Sequence, residues 1–286
     1  MSEKLDKPQL VAMRDQQNKW DSSRLLDLLI RNSLLIVLLM VMVYFATQNE
    51  RFASLGNLRA VLIAAAPFAL IALGQTIVIL TGGIDLSVGS VIALGAMVAA
   101  WLALRLPAEQ IWVAVAAAVI IGSLAGVING VIIAYLNVPP FVATLGMLTA
   151  ASGFAYAIGG GAPINGLPEN FGILANFKLF GFQLPVYLMI GFFIILGLVM
   201  RYSAFGLRVY AVGGNRTAAE VAGVNVRRTL VQVYTISGFL AGTSGVILAS
   251  RVISGPPNLG TGYELLAIAA VVIGGASLMG GRGTVW

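Results

Sequence analysis

The chain has 286 residues, 59% of them hydrophobic and only 10% charged, where a soluble domain carries roughly 25% charged residues; this is the composition of a membrane protein. The net charge of +6 is distributed as a topology signal and gives no argument for nucleic acid. Histidine and cysteine are both absent, which excludes histidine-activated nucleophiles, histidine-bearing zinc sites and disulfides; no catalytic residue, metal site or cofactor motif is found, so an enzyme is not expected.

The first 32 residues are polar and contain Lys4, Lys7, Arg14, Lys19, Arg24 and Arg31, followed by an apolar run without a small-residue cleavage site, so the first helix is expected to stay attached. Apolar stretches of about 15 to 25 residues then centre near positions 40, 69, 96, 123, 149, 193, 240 and 272, each long enough for a helix across a ~30 Å hydrocarbon core. Their continuity rules out the alternating strands of a barrel. The expected fold is all-α, a polytopic bundle of about eight transmembrane helices, with residues 1–32 as a cytoplasmic tail and 33–286 as the transmembrane domain. With the N-terminus inside, twelve basic residues fall on the cytoplasmic side and five (Arg51, Arg59, Arg105, Lys178, Arg251) outside, as the positive-inside rule requires.

Segment two contains Pro67 and Gln75 and ends at Gly82-Gly83, before Asp85, Ser87 and Gly89. The glycines allow backbone angles that stop a helix, and Asp85 is placed to accept the first free amides of segment three, on the cytoplasmic side. Trp101 and Trp112 flank the next outer loop as interfacial anchors. Segment four sets Gly122, Gly126 and Gly130 on one face, and segment seven has Gly238 and Gly242; such faces let helices pack closely in lipid. Asn129 needs a partner in hydrocarbon, either another helix or a solute. Gln75, Asn129 and Thr144 are the candidates for lining a pathway, and Pro67 and Pro139-Pro140 mark either kinks or a pathway.

The cytoplasmic loop of residues 201–228 contains "GGNRTAAEVAG". Thr217 to Glu220 fits a capping box and Gly223 a left-handed stop, with Ala218, Val221 and Ala222 as one small apolar face. So short a helix needs a partner surface, in this chain or in another subunit. Thr261 to Glu264 fits a second capping box, opening segment eight; Glu264 is a cap or a functional contact. The outer loop of residues 159–185 is a shaped cap or a docking surface. No Gly-Lys-Ser/Thr sequence is present, so a nucleotide, if used, is bound by another chain.

The runs "LTGGIDLSVGSVIALGAM", "NVPPFVATLGML", "FGLRVYAVGGNRTAAEVAGVNV" and "YELLAIAAVVIGGASLMGGRGTVW" resemble, in order, those of permease subunits of ribose- and xylose-type ABC sugar importers. The resemblance covers roughly residues 55–286. It implies one half of a translocation pathway for a monosaccharide or related solute in the bacterial inner membrane. The implied partners are a cytoplasmic ATP-binding subunit, a periplasmic sugar-binding protein, a second permease copy or homologous permease, and the lipid bilayer, with no nucleic acid. It also implies an ATPase-coupling role for the loop with Asn215, Thr217, Ala218, Ala219, Glu220, Val221 and Gly223. Gly82, Gly83, Asp85, Ser87 and Gly89 become candidates for a gate as well as for capping. Relatives usually continue with two further spans, about ten in all, which sets the expectation of a shortened chain that does not support uptake alone. The rival readings are an ion-coupled secondary carrier and a non-transporting membrane protein.

Overall fold

In lipid, backbone groups must be satisfied within the segment, so the apolar runs fold as helices. The computed structural model describes residues 33–285; the expected cytoplasmic tail, residues 1–32, lies outside the described residues. Eleven α-helices occur among them: α1 (Ser33–Gln48), α2 (Leu55–Leu80), α3 (Val88–Ala103), α4 (Ile111–Tyr135), α5 (Pro140–Ile158), α6 (Glu169–Asn176), α7 (Leu184–Tyr202), α8 (Ala204–Gly214), α9 (Arg216–Val221), α10 (Val226–Val252) and α11 (Tyr263–Ile273).

All eight expected apolar segments are helical, but they are not equal. Leu55–Leu80, Ala108–Tyr135, Pro140–Ile158, Leu184–Tyr202 and Val226–Val252 are long and apolar enough to cross a membrane; α1, α3 and α11 are shorter. With 11 residues, α11 rises about 16 Å, roughly half the hydrocarbon thickness.

The described residues divide into two units, 33–58 and 59–285. In the first, α1 carries apolar side chains on every side, as a helix in hydrocarbon does. In the second, α10 is the axis, buried along most of its length. A Cβ added at Gly122 would come within 2.5 Å of the Gly238 carbonyl and 2.8 Å of Gly242 Cα, and one at Gly130 within 2.6 Å of Val231 Cα. Gly126 leaves room only for the Tyr234 carbonyl. The glycine faces of α4 and α10 thus meet backbone to backbone, the contact that drives helix association where no hydrophobic effect operates. α3 packs on the same axis, where a Cβ added at Gly95 would lie 3.3 Å from Gly242 Cα, and Ser244 of α10 donates to the Pro67 carbonyl of α2 (2.8 Å).

At one end of this unit, Ser250 Oγ donates to the Phe171 carbonyl (2.6 Å) and accepts the Ala175 amide (2.9 Å), fastening α6 to α10. The short hairpin β1 (Lys178–Leu179) and β2 (Phe182–Gln183) follows. The stretch after α10 does not leave the bundle. Gly255 exchanges backbone hydrogen bonds with Ile164 and packs on Ala100, whereas Gly260 packs on Ile92 and the Gly89 carbonyl. Residues 255–260 therefore run back along α3 toward its first turn, and α11 starts at that depth. Its N-cap is Gly262, in the left-handed region and without a side-chain cap; Thr261 Oγ1 instead donates to the Asn258 carbonyl (2.8 Å). The expected Thr261 capping box is not formed, because the preceding chain is held in turns against α3.

Candidate functional site

The turn after α2 aims a buried carboxylate. The Gly82 amide donates to the Ile79 carbonyl (2.8 Å) and the Gly83 amide to the Val78 carbonyl (3.2 Å), a Schellman ending with Gly82 at φ +77°. A side chain at Gly83 would strike the Tyr234 hydroxyl. The chain then runs without regular secondary structure to Ser87, the N-cap of α3.

Asp85 is therefore not the N-cap; it lies two residues earlier. Its Oδ1 accepts the amide (2.9 Å) and the hydroxyl (2.6 Å) of Ser87, and its Oδ2 accepts the Ser237 hydroxyl of α10 (2.8 Å). Asn129 of α4 donates to Ser87 Oγ (2.9 Å). The Gln75 amide, in the orientation that satisfies both its ends, donates to the Asp85 carbonyl and accepts its amide, each at 3.2 Å. Thr144 of α5 places its hydroxyl 3.2 Å from the Ile84 carbonyl. Every one of these side chains is at most 1% exposed.

Ser237 is the twelfth residue of α10, about 17 Å from its start at 1.5 Å per residue. Asp85 thus sits deep in the bundle, away from both ends of α10. A carboxylate at such depth costs about 2.5–3.5 kcal/mol on insertion scales, and three donors offset that cost. Two polar atoms of the junction have no partner, Tyr234 Oη and Asn129 Oδ1.

Gln75, Asn129 and Thr144, expected to line a pathway, are enclosed by the chain and bonded to its own groups. Gly89 is needed for close approach: a Cβ there would strike the Glu264 carboxylate and come within 2.5 Å of the Gly260 carbonyl. Among the described residues no cluster of metal-ligating side chains occurs. The arrangement can hold α2, α3, α4, α5 and α10 at one point.

The second candidate region is α9. Its N-cap is Asn215, whose Oδ1 accepts the Ala218 amide (2.9 Å); Thr217 is inside the helix, so the expected Thr217 capping box is not formed, and the cap lies two residues earlier. Gly223, at φ +83°, ends the helix as expected, with Val224 donating to Ala219 and Gly223 to Glu220. Ala218, Val221 and Ala222 are exposed on the surface, Val221 to 85%. Ala219 instead turns inward and is 4% exposed. Arg216 and Glu220 form a surface pair at 3.7 Å, which adds little to stability.

α8 connects the two regions. A Cβ at Gly213 would strike the Leu80 carbonyl, to which Gly281 also donates (3.0 Å). The Tyr210 hydroxyl donates to the Gly283 carbonyl (3.0 Å), and burial pushes its pKa above the ordinary phenol value, so it remains a neutral donor. The helix that leads into α9 is thereby braced on the end of α2 that carries the Asp85 turn. Sequence reasoning missed Tyr234 and the polar role of Ser237; the signal was two hydrogen-bonding side chains three residues apart on an otherwise small-residue face.

Residues 57–282 match the family described as the branched-chain amino acid transport system / permease component. The chain is 40% identical to the ribose import permease protein of Escherichia coli K12, over 88% of this chain and 79% of that protein. It is 38% identical to the galactose/methyl galactoside import permease protein of Haemophilus influenzae, over 93% and 84%. For the L-arabinose transport system permease protein of Escherichia coli K12 the identity is 36%, over 88% and 76%. No solved structure matches. A helical membrane bundle around a buried polar junction, matched by one permease family along nearly its whole described length, belongs to that family of transport-system permease components.

Proposed function

We propose that this chain is the permease subunit of an ATP-binding-cassette importer, forming half of a translocation pathway for a monosaccharide or similar solute. The relatives named for ribose, galactose and arabinose import support the solute class. A second permease, identical or homologous, would supply the other half. The protein is a multi-pass membrane protein; in our reading it lies in the bacterial inner membrane with residues 1–32 and α9 in the cytoplasm, and it performs no catalysis itself.

The observation that carries the mechanism is the contrast on α9 between a fastened and a free face. Ala219 anchors the helix to the chain, while Ala218, Val221 and Ala222 present a small apolar surface that fits a cleft on the ATP-binding subunit. Movement received there passes through α8 to the Leu80 carbonyl, and from α2 to the Asp85 junction. The junction would keep the helices moving as one body while the solute passes along another face. The hairpin end, where Phe180 is 90% exposed, would meet the sugar-binding protein.

The test is reconstitution in liposomes with a cognate ATP-binding subunit and binding protein. Sugar uptake that requires ATP and the binding protein is expected. Uptake driven by an ion gradient without ATP would establish the secondary-carrier alternative.

A further inference from the structure

Glu264 does not cap a helix. The amide it would have to receive in a capping box, that of Thr261, donates instead to the Asn258 carbonyl (3.2 Å). No hydrogen bond or ion pair joins the Glu264 side chain to any other described residue. Its carboxylate packs on Gly89 at the foot of α3, and the residue is partly exposed.

Depth decides what it faces. Tyr263, the residue before it, stacks on Phe68 of α2 with ring centroids 4.1 Å apart. Phe68 is the fourteenth of the 26 residues of α2, about 20 Å from one end and about 18 Å from the other. Glu264 therefore lies near the middle of a helix longer than the ~30 Å hydrocarbon core. An ionisable side chain at that depth turns to protein or to a water-filled path, away from lipid, and marks a functional site.

Two helix ends hold the carboxylate in place. Gly89 is in the first turn of α3 and Glu264 in the first turn of α11, and the partial positive charge of each end favours a negative group. Neither end fills the lone pairs of its oxygens. A cation is a poor match, because it would meet both positive ends and no cluster of metal-ligating side chains occurs among the described residues. Neutral donors fit better. Neighbouring hydroxyls of a sugar supply two O–H groups to one carboxylate, and the partly exposed rings of Phe68 and Tyr263 give its carbon-bound hydrogens an aromatic surface at the same depth.

We propose that Glu264 lines the translocation pathway and accepts hydrogen bonds from the hydroxyls of the passing sugar. This rests on the reading of the chain as a sugar permease.

The experiment uses the full chain reconstituted with an ATP-binding subunit and binding protein, with D-ribose, D-galactose and L-arabinose as the solutes. The chain contains no cysteine, so Glu264→Cys gives it a single thiol. That thiol should react with a charged, membrane-impermeant methanethiosulfonate at least tenfold faster than the thiol of Ala267→Cys, a position 2% exposed on the same helix, and the transported sugar should slow the labelling. Glu264→Leu should cut uptake at least tenfold, the scale of one or two lost hydrogen bonds to a charged group, while ATP hydrolysis and melting temperature hold. Glu264→Gln, which still accepts from a hydroxyl, should recover most of that loss. Labelling of Glu264→Cys only by a lipid-soluble maleimide overturns the proposal, as does a thiol closed to both reagents by a second copy, or undiminished uptake in Glu264→Leu. Absence of ATP-dependent sugar uptake by the unaltered chain would instead refute the permease reading, and this proposal with it.

Discussion

The Asp85 junction and α9 gather hydrogen-bonding side chains in opposite ways. At the junction, Asp85, Ser87, Asn129 and Ser237 are at most 1% exposed and bond to one another across three helices and a turn. On α9, the caps and the Arg216–Glu220 pair are local, while the apolar face is left uncovered. When one member of a buried network is removed, the groups it leaves unpaired cost their full desolvation penalty, so the first region governs folding. An exposed helix of six residues contributes little to folding and is free to serve a partner.

The largest effect is expected from Asp85→Ala. It strands the Ser87 and Ser237 hydroxyls and the Ser87 amide, and three bonds to a charged group should together be worth about 3 kcal/mol or more, above the 0.5–2 kcal/mol of a simple cap. Asp85→Asn should fall between the two, since its oxygen still accepts from Ser87 and the Ser237 hydroxyl can turn to accept. Thermal unfolding in detergent ranks the three chains, and an alanine variant as stable as the original would mean the network is idle.

Next is Gly126→Ala. Its new methyl would press on the Tyr234 carbonyl and should cost about 1–3 kcal/mol through overpacking. Gly146, with nothing near its Cβ direction, supplies the control: Gly146→Ala should be neutral or gain about 0.5–1 kcal/mol from helix propensity. Comparable losses at both positions in the same unfolding assay would show that the glycine faces do not set the packing.

Tyr234→Phe should raise stability, by up to about 1–3 kcal/mol, because it removes an unsatisfied buried hydroxyl and leaves the ring in place. A lower melting temperature would reveal a partner for that hydroxyl. The smallest effect on folding is expected at Val221: Val221→Asp should change stability by less than about 0.5 kcal/mol, while ATP hydrolysis in the reconstituted importer proceeds without uptake. Ala219→Asp is a poor probe of the same surface, since its charge would enter the chain's own core. Normal coupling in Val221→Asp would leave α9 without its partner.

Much of the fold could be read directly from the sequence. Long apolar runs become helices wherever water is missing, and the spacing of Gly122, Gly126 and Gly130 marks a close-packing face in any context. Gly82 and Gly223 stop helices because their left-handed angles are local properties of the backbone. The partner of a face is not local. Nothing near Asp85 in sequence points to Ser237, 152 residues on, and periodicity could not say that Ala219 turns inward while Val221 turns out. Nor could composition tell a span from a short helix: α11 is as apolar as its neighbours, and its starting depth is set by residues 255–260 packing along α3. Local stereochemistry and the cost of bare backbone in hydrocarbon therefore determined the helices and their stops from the sequence alone. Which polar groups meet, and how deep, was decided only when the glycine faces of α4 and α10 closed, because close approach of distant backbones brings those partners within hydrogen-bonding reach.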